Sequence, residues 1–276
     1  MTVRPSDEEL ARLRRHFAIE RELANRLRTA SDECRPSLYV EVYKELFRRV
    51  EMPGNAQAQQ AQVALLLQLV EPFLDDDSTF LEVGAGSCDL SIALAQQLPR
   101  VLAVDAVEPR IDLGLLPESF SFIPSMRLRG SIPPASVDVA LSCHFVEHLH
   151  PHDLSGHLRE VWDLLAEGGC YIIVTPNRIY GPHDISRHFS ETAQGLHLCE
   201  YTHTDLVQHL LREGFSDVRV IRQVGEVPRS GGLFVIGLVE RIVDALPGGW
   251  RRALTARAPR QAPFRPLEQV KLVGFK

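Results

Sequence analysis

Cysteine is scarce in this chain, and a long uninterrupted hydrophobic run is absent. The 276 residues include five cysteines, an odd number with no C-x-x-C pair, which argues against a disulfide framework and for a reducing compartment. The longest apolar run near the end, LFVIGLVERIVDAL, contains three charged residues and is too short to cross a bilayer. The start, MTVRPSDEEL, is too polar for a secretory signal. We therefore expect a cytoplasmic protein without a membrane span.

An excess of positive charge is also missing. The formal net charge is −6 and the pI is near 6.0, so the chain has no basic field of the kind that attracts nucleic acid or anionic membranes. We expect a small-molecule substrate and no nucleic-acid partner. With 45% hydrophobic and 24% charged residues, the composition is that of a globular protein with one large domain and additions.

Histidine is concentrated in one half of the chain. Ten of the eleven histidines lie between His144 and His209, which points to one chemically active region, although most of the ten are expected to be surface residues. The stretch CHFVEHLH contains H-x-x-E-H, a spacing found in one class of zinc peptidases. On a helix, His144 and His148 would share a face with Glu147 beside them. This pattern alone is compatible with a zinc-peptidase site and with a catalytic cluster of another kind.

The hydrophobic periodicity changes near residue 70. Residues 1–70 are predicted to be helical, beginning with a capping box in which Ser6 accepts from the amide of Glu9. From Ser78 onward, short apolar strands such as STFLEV, RVLAVD, VDVALS and GCYIIV alternate with helical patterns. One of these, DLSGHLREVWDLL, is predicted to end at Gly168 and Gly169. The alternation predicts an α/β fold, a doubly wound, Rossmann-like and mostly parallel sheet.

A glycine turn follows the first of these strands. In EVGAGSC, Gly84 and Gly86 would let the backbone approach a ligand closely, and Asp105 ends the second strand, where a carboxylate can accept from ribose hydroxyls. A dinucleotide-binding enzyme has similar spacing. Cys88 in place of the third glycine and the acid Glu82 at the strand end both disfavour a pyrophosphate there. A cationic sulfonium would tolerate that carboxylate.

Five motifs in order resemble those of the class I S-adenosylmethionine-dependent methyltransferases: FLEVGAGS, VLAVDA, SVDVALSCHFVEHL, LLAEGGCYIIVTPN and YTHTDLVQHLLREGF. The resemblance covers about residues 75–225. It implies a seven-stranded methyltransferase domain over 71–276, with residues 1–70 as a helical lid that caps the substrate. It also implies that S-adenosyl-L-methionine is bound by Glu82, Gly84, Gly86, Asp105, Ser131 and Ser142. Ser131 stands where relatives usually have an acid near the adenine.

The segment GLHLCEYT, together with TPN-R, is similar to the metal-dependent small-RNA 2′-O-methyltransferases. That resemblance implies a divalent ion, Mg²⁺ or Mn²⁺, held by Glu147, His148 and His197. The first acid of the related motif is replaced by His144, which is then either a fourth ligand or a general base. The base is favoured, because three protein ligands leave open positions and the acceptor hydroxyl still needs a proton acceptor.

An aliphatic hydroxyl is a poor nucleophile that needs both a base and an ion, so the cluster favours O-methylation of a sugar, a glycan or another small diol. The walls of the acceptor pocket are predicted to include Tyr39, Tyr43, Arg178, Tyr180, His183 and Arg187. The alternative is a metal-independent methyltransferase acting on a quinone, phenol or polyketide, with Glu147 and His148 structural. A zinc peptidase is a remote alternative. A homodimer is possible in either case.

Overall fold

The computed structural model describes residues 6–51, 55–112, 114, 116–221, 233–246 and 268–276. Within them, seven strands form a single sheet with helices on both faces. The helices are α1 Asp7–Thr29, α2 Arg35–Arg49, α3 Ala56–Val70, α4 Asp89–Leu94, α5 Pro151–Leu164, α6 His203–Arg212 and α7 Leu233–Asp244. The strands are β1 Thr79–Val83, β2 Arg100–Asp105, β3 Phe120–Pro124, β4 Val137–Cys143, β5 Leu165–Pro176, β6 Asp217–Val220 and β7 Gln269–Phe275.

The strand order across the sheet is β3-β2-β1-β4-β5-β7-β6. The pairs from β3 to β5 are parallel, and β7 is antiparallel to both of its neighbours. The order reverses between β1 and β4, and at such a switch point the carboxyl ends of the strands leave a crevice for a ligand. The expected doubly wound, mostly parallel fold is confirmed.

The strands at the centre of the sheet are mostly apolar, as expected where helices cover both faces. Successive residues of β1 face opposite sides of the sheet. Leu81 and Val83 pack with α1, α2, α5 and α6, whereas Phe80 packs with α3 and α4. The two cores fix the register of β1, since a slip by one residue would exchange the two sets.

The N-terminal helices form as the sequence predicts. Ser6 accepts from the Glu9 amide at 3.1 Å and begins α1. The second helix is fastened to α5 by the buried Arg35, which donates to both carboxylate oxygens of Asp153 at 2.8 Å. Tyr39 joins this group and donates to Asp153 at 3.0 Å. The N-terminal region is therefore packed against the α/β part, although its role as a lid stays a prediction.

The predicted end of α5 at Gly168 is wrong. The helix ends at Leu164, and β5 begins at once with Leu165, which pairs with Val137. The register between β4 and β5 then shifts, and Gly168 takes a positive φ of 77° in the irregular segment. The glycines therefore serve a bulge in the strand and not a helix end. Among the described residues, no helix combines the length and the apolar character needed to traverse a bilayer.

Candidate active site

The glycine turn lies at the carboxyl end of β1, in the crevice. Gly84 and Gly86 have φ values of 72° and 53°, a region that side chains disfavour. A Cβ atom at Gly84 would lie 2.5 Å from Cδ2 of Phe145, the residue two positions after β4. Gly84 is therefore required twice, for the backbone conformation and for the close approach of the Phe145 ring.

Asp105, at the end of β2, is joined to this turn. One of its carboxylate oxygens accepts from the Gly86 amide at 2.9 Å, and the other accepts from Val107 at 3.0 Å. Each carboxylate oxygen has a second lone pair, so Asp105 can still accept from a ligand. A narrow cleft runs beside it, lined among others by Gly84, Met126 and Phe145.

Glu82 lies beneath the turn and is almost fully buried. Its carboxylate accepts from the backbone amide and the hydroxyl of Ser91 in the first turn of α4. Burial raises the pKa of the Glu82 carboxyl to about 7, although both hydrogen bonds from Ser91 act in the opposite direction. Glu82 therefore contacts α4, the helix that follows the turn, and holds the start of that helix in place.

The two serines predicted to bind the cofactor lie in different surroundings. Ser131 is exposed, after Gly130 with its φ of 84°. Ser142 is buried in β4, and its hydroxyl accepts from Tyr171 at 2.7 Å. Tyr171 in turn is 2.9 Å from Nε2 of His157, a residue that also lines the cleft. Ser142 therefore belongs to a polar chain beneath the cleft, and its direct role in binding stays a prediction.

His144 directly follows Cys143, the last residue of β4. It has a φ of 54°, an uncommon conformation for a residue with a side chain. Its amide still donates to Val174 on β5 at 2.9 Å, so the sheet fixes its backbone. The side chain is 40% exposed. Backbone strain of this kind persists only where surrounding contacts impose it, and it concentrates at functional sites.

The stretch after His144 is a short 3-10 turn, Val146–His148, and not a helix. The helical spacing that would place His144 and His148 on one face is therefore absent. Instead, Nδ1 of His144 lies 3.2 Å from Oε1 of Glu147. Because a carboxylate can only accept, the His144 nitrogen is the donor in this bond.

Glu147, His148 and His197 form a cluster. Each offers one ligand atom, and these three atoms lie within 4.8 Å of one another. The two imidazole rings meet edge to face, with centroids 4.9 Å apart. No other set of three such side chains is brought together in the part of the chain that the structure describes. His197 comes from the loop before α6, so the fold joins residues about fifty positions apart.

Both imidazoles of the cluster are oriented by their Nδ1 atoms. His148 Nδ1 donates to the carbonyl oxygen of Leu196 at 3.0 Å, and His197 Nδ1 donates to Glu200 at 2.7 Å. In each neutral ring the Nε2 lone pair is then the free one. Metal-binding histidines are held in this way by a carbonyl or a carboxylate on the second nitrogen.

The charges of the cluster are coupled. Burial alone would raise the pKa of Glu147, but the bond from His144 and the nearby His148 and His197 lower it to about 2. Burial lowers the pKa of His148. For His197, burial again acts most strongly and lowers the pKa, but the bond to Glu200 together with the charges of Glu147, Glu200 and Asp184 outweighs it, so the pKa is raised. Glu147 is thus an ionised carboxylate in a fully buried position.

Of the six predicted substrate residues, Tyr43 lies beside the cluster. Its ring meets His148 edge to face, with centroids 6.0 Å apart. Burial raises the pKa of Tyr43 well above its ordinary value, with smaller contributions from Tyr39, Glu147 and Asp105. Tyr43 is therefore a neutral phenol that lies beside His148.

The other five predicted substrate residues all have contacts within the protein. Tyr39 is buried against α5, Arg178 pairs with Asp244 on α7, and His183 donates to the Asn177 carbonyl. Arg187 is exposed and bonded to His188. Tyr180, the remaining one, is half-buried in a short turn against α7. Their contact with an acceptor stays a prediction.

Sequence reasoning missed several residues that support the cluster. Thr175 on β5 donates to Glu147 at 2.8 Å, and Glu200 accepts from His197 and from the His183 amide. A Cβ atom at Gly181 would overlap Oε2 of Glu200, so a larger residue there would displace that carboxylate. Glu20 and Arg28 on α1 bind the loop that carries His197. No local pattern announces these contacts, since Glu20 and Leu196 are 176 positions apart.

Comparison with known proteins agrees with the fold and the motifs. A family model described as "Methyltransferase domain" matches residues 55–220, more than half of the chain. The match begins within the region predicted as a separate helical part, so α3 lies inside it. The matched residues include all five motifs quoted above, and the match shows the family.

Solved structures show the same fold. An S-adenosylmethionine-dependent methyltransferase from Archaeoglobus fulgidus has a TM-score of 0.52 and 18% identity, over 86% of this chain and 100% of that chain. A Nostoc punctiforme protein assigned as an O-methyltransferase has a TM-score of 0.53 and 14% identity, over 98% of this chain and 73% of that chain. At these identities the likeness supports the fold alone. No curated protein matches the chain in sequence.

Proposed function

The chain belongs to the methyltransferase-domain family, and from that premise we propose that it is a divalent-metal-assisted O-methyltransferase that uses S-adenosylmethionine and acts on a small molecule with neighbouring hydroxyls. The single observation that carries this proposal is the convergence of Glu147, His148 and His197 at the strand end that faces the glycine turn. The family leaves the zinc peptidase hypothesis without support.

S-adenosylmethionine would be held by the glycine turn and by Asp105. The turn offers backbone groups at Gly86, where the space that a side chain would fill is open, and Asp105 has lone pairs for ribose hydroxyls. When bound there, the cofactor supplies an electrophilic methyl group on a sulfonium. Glu82 supports the turn from below, and the cleft beside Met126 provides an apolar surface for the adenine.

The donor set of the cluster fits a divalent ion. Two imidazole nitrogens and one carboxylate suit Mn²⁺, and Mg²⁺ is the alternative. The fit rests on Glu147 being ionised and fully buried, and on the two imidazoles being oriented by Leu196 and Glu200 with Nε2 free. When bound, the ion would supply charge stabilisation for an acceptor oxygen that loses its proton.

His144 is the proposed general base. Its Nδ1 donates to Glu147, so Nε2 of the neutral ring keeps the lone pair and can take a proton. The carboxylate thus fixes both the tautomer and the orientation of the imidazole, as in other base–carboxylate pairs. The exposed fraction of 40% leaves His144 accessible to an acceptor. The role of fourth ligand has less support, because His144 does not belong to the three-residue cluster.

The acceptor is proposed to be a sugar, a glycan or another small diol. Tyr43 provides an aromatic surface next to the cluster, which suits the apolar face of a sugar ring. The net charge of −6 disfavours a polyanionic acceptor such as RNA. With two neighbouring hydroxyls, one acceptor oxygen would bind the ion and the second acceptor oxygen would be held next to it.

A second candidate function is supported by one feature of the cluster. Glu147 accepts from Thr175 and His144, and its carbonyl accepts from the Cys199 amide. These bonds tie three segments together, so Glu147 and His148 would be useful to the fold without an ion. The enzyme would then be a metal-independent methyltransferase for a phenol, quinone or polyketide.

The deciding experiment measures binding of Mn²⁺ alone to the full chain by electron paramagnetic resonance, and methyl transfer to a panel of a monosaccharide, a catechol, a phenol and an amine. We expect His197→Gln to lose Mn²⁺ binding and activity. The matched control is His152→Gln, since His152 is an exposed histidine outside the cluster. Full methylation in excess chelator would refute metal assistance and favour the second candidate.

A further inference from the structure

The first helix of the chain holds the loop that carries His197. Arg28, in the last turn of α1, donates to three carbonyl oxygens of this loop, those of Gln194 at 3.0 Å, Gly195 at 3.1 Å and His197 at 3.3 Å. A guanidinium presents its donors in a fixed planar fork. Three carbonyls converging on one fork therefore constrain the path of the backbone directly.

Glu20, two turns earlier on the same helix, binds the residue between those carbonyls. Its Oε2 accepts from the Leu196 amide at 3.2 Å, and Glu20 is nine-tenths buried. The carbonyl of Leu196 is the group that accepts from His148 Nδ1 at 3.0 Å. The backbone of Leu196 is therefore bonded to α1 through its amide and to a proposed metal ligand through its carbonyl.

The loop itself has little regular structure. Residues 189–202 form neither helix nor extended strand, apart from one isolated bridge at Tyr201. Asp184 accepts from the Gly195 amide at 2.8 Å, and Cys199 donates to the Glu147 carbonyl at 3.1 Å. Bonds to other segments of the protein thus fix the position of His197, and Arg28 and Glu20 of α1 supply four of them.

We propose that Arg28 and Glu20 are positioning residues that hold the loop so that His148 and His197 present Nε2 to the same point. The inference rests on the proposed function, because it assigns these residues to support of the metal site. Partners that orient metal ligands from outside the site typically contribute about 10–100-fold to metal affinity. The N-terminal helix would thus be part of the catalytic apparatus and not only a cover.

The test compares Arg28→Met with Arg26→Met in the full chain. Arg26 lies on the same helix but donates to Glu45 and Glu41 on α2, so its removal is a matched control. Two quantities are measured: the dissociation constant of Mn²⁺ alone, and hydrogen exchange of the backbone amides of residues 194–197 without metal. Affinity for S-adenosylhomocysteine reports whether the rest of the site is intact.

We expect Arg28→Met to weaken Mn²⁺ binding about 10–100-fold and to speed exchange in the loop, with cofactor affinity unchanged. Arg26→Met should match the wild type in both, and Arg28→Lys should recover part of the affinity. If Arg28→Met does not fold, Glu20→Met, which removes the acceptor for the Leu196 amide and keeps a side chain of similar length, is expected to weaken Mn²⁺ binding in the same way.

Wild-type Mn²⁺ affinity and wild-type exchange in a folded Arg28→Met protein would overturn the proposal. Failure of the proposed function gives a different result, since the wild-type protein would then bind no Mn²⁺ at all. In that case faster exchange in Arg28→Met supports positioning of the loop by α1, and unchanged exchange refutes it.

Discussion

Replacing Glu82 with Gln should change how the stability of the protein depends on pH. Glu82 is buried beneath the glycine turn, and its folded-state pKa is about 7 against an ordinary value of 4.5. Between these two pH values the folded protein keeps a proton that the unfolded chain loses. The stability gained by that proton is therefore complete below pH 4.5, declines as the pH rises, and is absent above pH 7.

The difference between the two pKa values corresponds to about 3 kcal/mol, at about 1.4 kcal/mol per pKa unit. His157 acts in the opposite direction, because burial lowers its pKa from 6.5 to about 4. The stability associated with neutral His157 is lost as the pH falls through that range. The curve of the wild-type protein contains both effects, but the difference between wild type and Glu82→Gln isolates the carboxyl.

Urea unfolding of both proteins at several values between pH 4.5 and pH 8 measures this difference. Glu82→Gln should gain about 3 kcal/mol relative to the wild type across the window, whatever its absolute stability at pH 4.5. Glu118→Gln, at an exposed carboxyl, is the control and should show no such trend. A wild-type–minus–variant difference that stays constant from pH 4.5 to pH 8 would refute the assignment of a raised pKa to Glu82.

Three further changes test the cofactor site and the proposed base. Asp105→Asn should weaken binding of S-adenosylhomocysteine by about 1.5–3 kcal/mol, the range for a hydrogen bond to a charged group, and calorimetry giving unchanged affinity would end that assignment. Gly84→Ala should lower both cofactor affinity and the unfolding midpoint, because the methyl group meets Phe145 and φ is positive; a variant with wild-type values in both assays would contradict this. His144→Ala should leave cofactor affinity unchanged and reduce kcat by about 10²–10⁴, whereas wild-type turnover at saturating Mn²⁺ would exclude both a base and a ligand role.

Local chemistry in the sequence was enough to predict the sheet and the turn. Strands such as β1 are short apolar runs bounded by glycines, and this pattern depends on neighbouring residues alone. The positive φ of Gly84 and the place of Asp105 at a strand end follow from the same local logic. The end of α5 was predicted wrongly because pairing of Leu165 with β4 prevailed over the helix-end signal of Gly168.

The candidate metal ligands were named from a resemblance, and their convergence could not be read from the residues alone. Glu147 and His197 are distant along the chain, and only the fold brings their ligand atoms within 4.8 Å. The same holds for the predicted acceptor wall, where Tyr43 reaches the cluster while Tyr39, one helical turn before it, is turned into the core. Residues four positions apart on a helix point in slightly different directions. The packing of α2 against α5 therefore decides which of the two tyrosines is buried.

The sequence by itself determined the order and type of the elements, the glycine turn and the residue types available for chemistry, because each depends on short-range backbone preferences and apolar periodicity. The tertiary structure alone decided which of the ten clustered histidines meet, which nitrogen of each ring is free, and that α1 supports the loop of His197. Those properties arise from hydrogen bonds between residues far apart in the chain, such as Glu20 with the amide of Leu196 and His148 with the carbonyl of the same residue. No local pattern encodes such bonds, since they form only after the sheet has fixed the distances between its ends.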